Sequence, residues 1–319
     1  MTISEKPGVL AQGVVFVALF VVIGLAGMYL PPLYFLAVML LPLPVMLLVL
    51  KADVRYGILG LTAAGLIFAA LTPLETAFVL VFQYGLLGII YGVLFKKGDS
   101  LARILSAGVL FAVVLAFLYP ALSYFLTGNN LFILGEEERR SIEQMLAAYR
   151  DAGMLENVPI EWPGDAGASI ISFFEFFLPG QYIVYSAAQG AVTYFLARPC
   201  LHRFNCFLPP GLAFTNILLP WYSIWGPIAG LAFTMAGDQF SWVLGARTGK
   251  NLLFILFWLY MITGLSVAAY FFRKIKVVWF IKLVFLVLAI VYMPFSMMII
   301  VLLGLADPLV NFRRLHPET

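Results

Sequence analysis

Within eleven residues of one apolar run fall a carboxylate, a proline-glycine pair and three side chains able to hydrogen-bond a ligand: Glu175, Pro179-Gly180, Gln181, Tyr182 and Tyr185. The run, Ser169–Leu196, is long enough to cross a bilayer, for which about 20 helical residues suffice. An ionisable group inside such a segment is costly and marks a partner, a water-filled cavity or a binding site. Pro179 has no N–H to offer the carbonyl four residues earlier, which is that of Glu175 itself. A carboxylate and a freed backbone acceptor therefore sit on neighbouring turns, about 10 Å from the end of the span at about 1.5 Å per residue. Gln181, Tyr182 and Tyr185 follow directly. The chemistry this predicts is orientation of a small polar solute by hydrogen bonds. The competing expectation is a structural Glu175 bonded to a neighbouring helix. Glu75, at the start of another apolar run, is a second candidate ligand-binding residue, and its place at a helix start also suits a hydrated carboxylate favoured by the helix dipole.

Other chemistries find little support. Cys200, His202 and Cys206 offer soft ligands, but a fourth ligand and zinc-type spacing are lacking, so no metal is expected. The two histidines, His202 and His316, lie outside the apolar runs, so no Ser-His pair or histidine metal cluster forms inside them, and no pair of aspartates falls inside a span. The chain reads as no enzyme and as requiring no cofactor. Gly245-Ala-Arg-Thr-Gly-Lys250 is one residue short of a phosphate loop, with Asn251 where Ser or Thr belongs, and is read as a coincidence of composition.

Several apolar elements must position the candidate residues. Apolar residues make up 63% of the 319 and charged residues 11%, against about 45–50% and 25% in soluble domains. The chain is thus expected to be an all-α integral membrane protein, a polytopic bundle of about eight or nine transmembrane helices. The expected spans are Ala11–Leu30, Leu33–Leu50, Gly57–Thr72, Thr76–Phe95, Ile104–Leu126, Ser169–Leu196, Phe214–Ala236, Asn251–Phe272 and Val277–Leu303. Pro42 and Pro44 are expected to kink the second span, and Pro220 and Pro227 to break the seventh, which is a candidate re-entrant segment. Gly237–Lys250 reads as a loop, as does the segment holding Arg198, Cys200, His202, Arg203 and Cys206.

Thr127–Gly167 is the one long polar stretch, with eight acidic and three basic residues. Inside it Glu136–Ala152 reads as an amphipathic external helix, because Ile142, Met145, Leu146 and Tyr149 recur at helical spacing. It is expected either to lie against the membrane domain or to act as a lid. Small residues at helix-packing spacing, such as Gly60/Ala64, Gly88/Gly92 and Gly226/Gly230, predict close helix contacts. Trp162, Trp221, Trp225, Trp242 and Trp279 suit interfacial anchoring. With the N-terminus in the cytoplasm, twelve of the 19 basic residues fall inside and seven outside, three of those in the acidic loop. A plasma-membrane protein with a cytoplasmic N-terminus and an external acidic loop follows. The scattered basic residues give no reason to expect a nucleic-acid partner.

The stretches Tyr29-Leu-Pro-Pro-Leu, Leu41-Pro-Leu-Pro44, Gly88-Ile-Ile-Tyr-Gly92, Pro220-Trp-Tyr-Ser-Ile-Trp225, Gly304-Leu-Ala-Asp307 and Phe312-Arg-Arg-Leu315 resemble the YybS-like family of predicted bacterial membrane proteins. The first six spans are also similar to the S components of energy-coupling-factor transporters, compact bundles that capture a micronutrient from outside. That resemblance implies residues 1–203 as an S-component-like bundle and 204–319 as a set of three C-terminal spans with a short basic tail. It further implies a solute site near the outer ends of the spans, no ATPase within the chain, and separate scaffold and ATPase subunits as partners. A homo-oligomer, or a non-transporting scaffold that uses the acidic loop and packing faces, is the alternative.

Overall fold

Prolines and glycines decide where the apolar runs bend, break and touch. In the computed structural model, residues 7–128, 130, 132–133, 135–153, 166–203, 213–274 and 278–314 are described, and no strand occurs among them. Cys206, Trp162, His316 and Leu315 lie outside the described residues. The protein is an all-α polytopic membrane protein. Among the described residues, seven helical segments are long and apolar enough to cross a membrane, five before residue 127 and two after residue 242. The helices fall into two compact units, Met1–Leu131 with Tyr182–Gly211, and Phe132–Gln181 with Leu212–Thr319.

In the first unit, α1 (Pro7–Tyr29) leads into α2 (Tyr34–Leu40) and α3 (Pro42–Lys51). Between α2 and α3, Leu41 keeps helical dihedrals, at φ −56° and ψ −40°, and its N–H reaches the carbonyl of Ala37 at 2.9 Å, so the expected kink at the prolines amounts to a one-residue interruption of the helix. Every residue from Pro42 to Val49 is buried. A helix apolar on all sides must be enclosed by others, and α3 is the one that the unit closes around. Its neighbours are α1, α4 (Val54–Leu71) and α6 (Leu86–Lys97). Gly88 and Gly92 bring α6 against it, since a Cβ on Gly88 would stand 2.5 Å from the Pro42 carbonyl oxygen and one on Gly92 2.7 Å from Val49 Cβ. The short α5 (Leu74–Phe78) joins α6 through a π-helical stretch, Val79–Gly85, a wider winding often found at functional sites.

Helices α7 (Leu101–Ala116) and α8 (Leu118–Thr127) follow. Tyr91 fills the space that Gly108 leaves on α7, and its buried hydroxyl donates to the Gly190 carbonyl at 2.6 Å. Gly190 lies on α10 (Ala166–Arg203), of which the residues from Tyr182 onward belong to this unit. At 38 residues α10 is longer than the run that predicted it. Arg198, Cys200, His202 and Arg203, expected in a loop, form its last turns; Pro199 removes the rung to the Phe195 carbonyl there without ending the helix.

The second unit holds α9 (Glu136–Asp151), the first part of α10, α11 (Trp225–Gln239), α12 (Val243–Lys274), α13 (Trp279–Val291) and α14 (Met293–Val310). The amphipathic helix is where the sequence places it. The seventh run is broken around Pro220, with short 3₁₀ turns at Phe214–Asn216 and Trp221–Ile224 before α11. Pro227, expected to break it as well, sits in the first turn of α11, where its missing N–H is not needed. Two expectations are corrected. Gly237–Lys250 is mostly helical: a tight turn through Ser241, at φ 53°, starts α12 at Val243, and Gly230, Gly237 and Gly249 let α11 and α12 meet backbone to backbone. Val277–Leu303 is not one helix. Tyr292 leaves helical geometry at φ −101°, ψ 41°, and Pro294 opens α14 in its first turn.

The packing makes a prediction. Gly108→Ala sets a methyl against the Tyr91 ring, whereas a Cβ on Gly13 would find its nearest neighbour at 3.6 Å. Overpacking costs about 1–3 kcal/mol, so Gly108→Ala should lower the thermal midpoint of the detergent-solubilised protein by several degrees and Gly13→Ala should leave it unchanged.

Candidate functional site

In the second unit, the helix opening that Pro179 forces on α10 is filled by side chains of α12. Arg247 donates to the freed Glu175 carbonyl at 2.8 Å. Asn251 takes the place of one rung of the ladder: its Nδ2 donates to the Phe176 carbonyl at 2.9 Å, and its Oδ1 accepts the Gly180 N–H at 2.8 Å. Gly180 is needed for this fit, because a Cβ there would stand 2.7 Å from Asn251 Oδ1. Lys250 lies over the Phe176 ring at 5.6 Å and pairs with Asp238 at 3.0 Å. The residues dismissed as an incomplete phosphate loop are thus the ones that rebuild α10. Their signal was present in the sequence: Arg247 and Asn251 are polar residues one turn apart at the head of an apolar run.

The Glu175 carboxylate is ion-paired with Arg139 of α9. It is half-buried and engaged, so in this arrangement it anchors the amphipathic helix to α10. Gln181 is half-buried and belongs to the same unit.

Tyr182, Tyr185 and Glu75 belong to the first unit, with a different set of partners. The hydroxyl of Tyr84, on the π-helical stretch, meets those of Tyr34 and Tyr185. Tyr182 packs edge-on against Phe117 at 5.9 Å, and Glu75 faces the Tyr119 hydroxyl. Beside this cluster lies a cavity of about 70 Å³, lined among others by Met28, Tyr34, Thr76 and Tyr84. Tyr34 is 51% exposed while Tyr84 is buried, so the group runs from surface to interior. Tyr34 and Tyr84 escaped the sequence reading because nothing in the local pattern marks a tyrosine as facing another 50 residues away.

A third polar centre lies in the second unit. Arg313 is fully buried and donates to Asp307 Oδ2, the Thr215 carbonyl and the Ile217 carbonyl, each at 2.6 Å, and to Ser266 Oγ at 2.7 Å. The Ser266 hydroxyl in turn donates to the Phe214 carbonyl at 2.6 Å. These carbonyls belong to the irregular stretch before α11, which has no helical ladder of its own. One arginine near the chain end satisfies what that break leaves open. The stretches Gly304–Asp307 and Phe312–Leu315 therefore carry the two halves of one buried ion pair.

The family profile described as a predicted membrane protein, DUF2232, matches residues 18–308. The chain belongs to the DUF2232 family. The DUF2232 match takes in the Pro179 repair, the tyrosine cluster and Asp307, and ends just before Arg313. The uncharacterized protein YybS of Bacillus subtilis (strain 168) is 22% identical over 221 residues, covering 66% of this chain and 67% of that protein. No solved structure matches.

Two predictions follow from the buried polar contacts. An orphaned buried backbone group costs about 1–3 kcal/mol; Asn251→Leu orphans both the Gly180 N–H and the Phe176 carbonyl and should destabilise by at least about 2 kcal/mol in reversible unfolding, with Asn251→Asp failing to restore the loss because it lacks the donor. Breaking a buried ion pair costs about 3–5 kcal/mol. Arg313→Ala should cost more than Asp307→Ala, since it also strands two carbonyls and a hydroxyl.

Proposed function

We propose that this DUF2232 protein binds a small solute at the tyrosine cluster of its first unit and serves its uptake without an ATPase of its own. The observation that carries the reading is the convergence of the Tyr34, Tyr84 and Tyr185 hydroxyls beside a cavity, at one end of the bundle. Sites for small molecules are mostly apolar concavities with a few convergent polar groups. Aromatic faces at Phe117 and Tyr182 supply stacking, the three hydroxyls supply directional hydrogen bonds, and Glu75 adds a negative charge at the rim. A cavity of about 70 Å³ takes only one end of such a solute, so the half-exposed Tyr34 would have to move for the rest to enter.

The charge distribution supports an outward-facing cup. Lys51, Arg55, Lys96, Lys97, Arg103 and Arg203 lie at the helix ends opposite the tyrosines, and Lys96 pairs with Asp53 at 3.1 Å there. The positive-inside tendency assigns that end to the cytoplasm. The N-terminus is then cytoplasmic in the plasma membrane, and the acidic stretch holding α9 is external.

A second reading, a non-transporting scaffold, draws on an apolar groove of about 650 Å³ between α1 and α4. Gly13, Ala18, Gly60 and Ala63 line it, and small residues of this kind let a transmembrane helix of a partner subunit approach closely.

Native mass spectrometry of the protein from mild detergent separates the two. A small molecule that co-purifies with the wild type, and falls at least about tenfold in Tyr84→Phe and Tyr185→Phe but not in Glu175→Gln, is the expected result, since losing hydrogen bonds in a buried site is worth about 1.5 kcal/mol or more. Empty proteins that carry the same partner subunit in wild type and variants would overturn the solute reading and favour the scaffold.

A further inference from the structure

Beneath the tyrosine cluster, α10 carries three buried polar side chains, two of them without a hydrogen-bond partner among the described residues. Ser186, Gln189 and Thr193 are all fully buried. With Tyr182 and Tyr185 they recur at spacings of three and four, which places them on one face of the helix. Ser186 is satisfied by the Tyr182 carbonyl at 2.7 Å. Gln189 is not: neither its Oε1 nor its Nε2 has a hydrogen-bond partner among the described residues, and neither does Thr193 Oγ1. In a membrane bundle such groups find no water outside the helices, and each one left alone costs several kcal/mol.

The same positions on a neighbouring face are handled differently. Tyr91 donates to the Gly190 carbonyl at 2.6 Å, and Gly190 itself packs against Ala112 and Val109 of α7, where an added Cβ would stand 3.0 Å from each. The Tyr91–Gly190 contact is closed, although the buried Tyr194 hydroxyl on that neighbouring face also has no partner among the described residues. The unused capacity of Gln189 and Thr193 continues the face of Tyr182 and Tyr185 without a break. From Tyr182 to Thr193 the face runs about 16 Å along the helix axis, roughly half the hydrocarbon thickness.

We propose that the tyrosine cup has a polar floor: an inner, hydrated site in the first unit at Gln189 and Thr193, reached from Tyr185 past Ser186. Its occupant is water, and any solute that follows is small, neutral and able both to donate and to accept hydrogen bonds. Neutrality follows from the residues, since no Asp, Glu, Lys or Arg occurs between Tyr182 and Ala197. An amide and two hydroxyls can exchange partners with a solute but cannot compensate a buried charge. The inner site deepens the solute reading given above, but its hydration stands on Gln189 and Thr193 alone.

Accessibility of single cysteines tests this without knowledge of the solute. In a chain with Cys200→Ser and Cys206→Ser, the variants Ser186→Cys, Gln189→Cys and Thr193→Cys are compared with Phe195→Cys, whose side chain is exposed on the opposite face of α10, the face that the proposal leaves to lipid. The full-length protein is reconstituted in vesicles and treated with the small, neutral, water-soluble reagent 2-hydroxyethyl methanethiosulfonate. Reaction at positions 186, 189 and 193 at least about tenfold faster than at 195 is expected, and Gln189→Leu should slow the reaction at Thr193→Cys by a similar factor. If positions 189 and 193 react as slowly as 195, the inner site is dry and the proposal falls, even where the cup still binds its solute. If they react but no solute co-purifies, the hydrated floor stands and the solute reading falls. Thr193→Cys and Ser186→Cys are close to isosteric, so the comparison survives loss of the Gln189 variants to misfolding.

Discussion

A polypeptide in hydrocarbon must find a partner for every backbone N–H and C=O it exposes, and this chain contains several places where the helical ladder cannot supply one. Pro179 leaves the Glu175 carbonyl without its usual donor, and Arg247 fills the gap. Asn251 replaces a whole rung between Phe176 and Gly180. The irregular stretch before α11 hands its carbonyls to Arg313 and Ser266. In each case the polar side chain that a hydropathy reading would treat as a liability is what allows the backbone to depart from a straight helix. Arginine and asparagine suit the task because one presents several donors in a fixed fork and the other presents a donor and an acceptor together.

The same constraint explains what was legible in the sequence. The first five spans, the interruption before Pro42, the break around Pro220 and the amphipathic helix at Glu136 follow from local pattern, because prolines and apolar periodicity act on their own neighbourhoods. The freed carbonyl at Glu175 was also legible, since Pro179 determines it by position alone. Who would fill it was not, for Arg247 lies 72 residues away. Gly237–Lys250 reads as a loop by composition, yet close packing of glycines on α11 and α12 makes most of it helix. Val277–Leu303 reads as one span because Tyr292 and Pro294 do not disturb its hydropathy, only its geometry.

The candidate residues around Glu175 were grouped by nearness in sequence, and the structure sorts them by partner. Glu175 holds Arg139, so its carboxylate ties α9 to α10. Tyr182 and Tyr185 join an aromatic cluster whose other members come from α2 and the π-helical stretch. A wider winding at Val79–Gly85 turns Tyr84 inward among them, a geometry that no residue type in that segment announces. Glu75 reaches the same end of the unit through Tyr119. Two distinct polar environments thus draw on successive turns of one long helix.

The Asn251 rung and the Arg313 clasp also fix an order of assembly. When Pro179 is joined to the growing chain, Asn251, which will mend its helix, is still 72 positions from being made, and the carbonyls at Thr215 and Ile217 wait nearly a hundred positions for Arg313. Until then these segments must borrow hydrogen bonds from water, from lipid headgroups or from the insertion machinery. The middle of this protein is therefore completed by residues synthesised well after it, and a chain truncated before Arg313 would reach the membrane with its seventh run still unsealed.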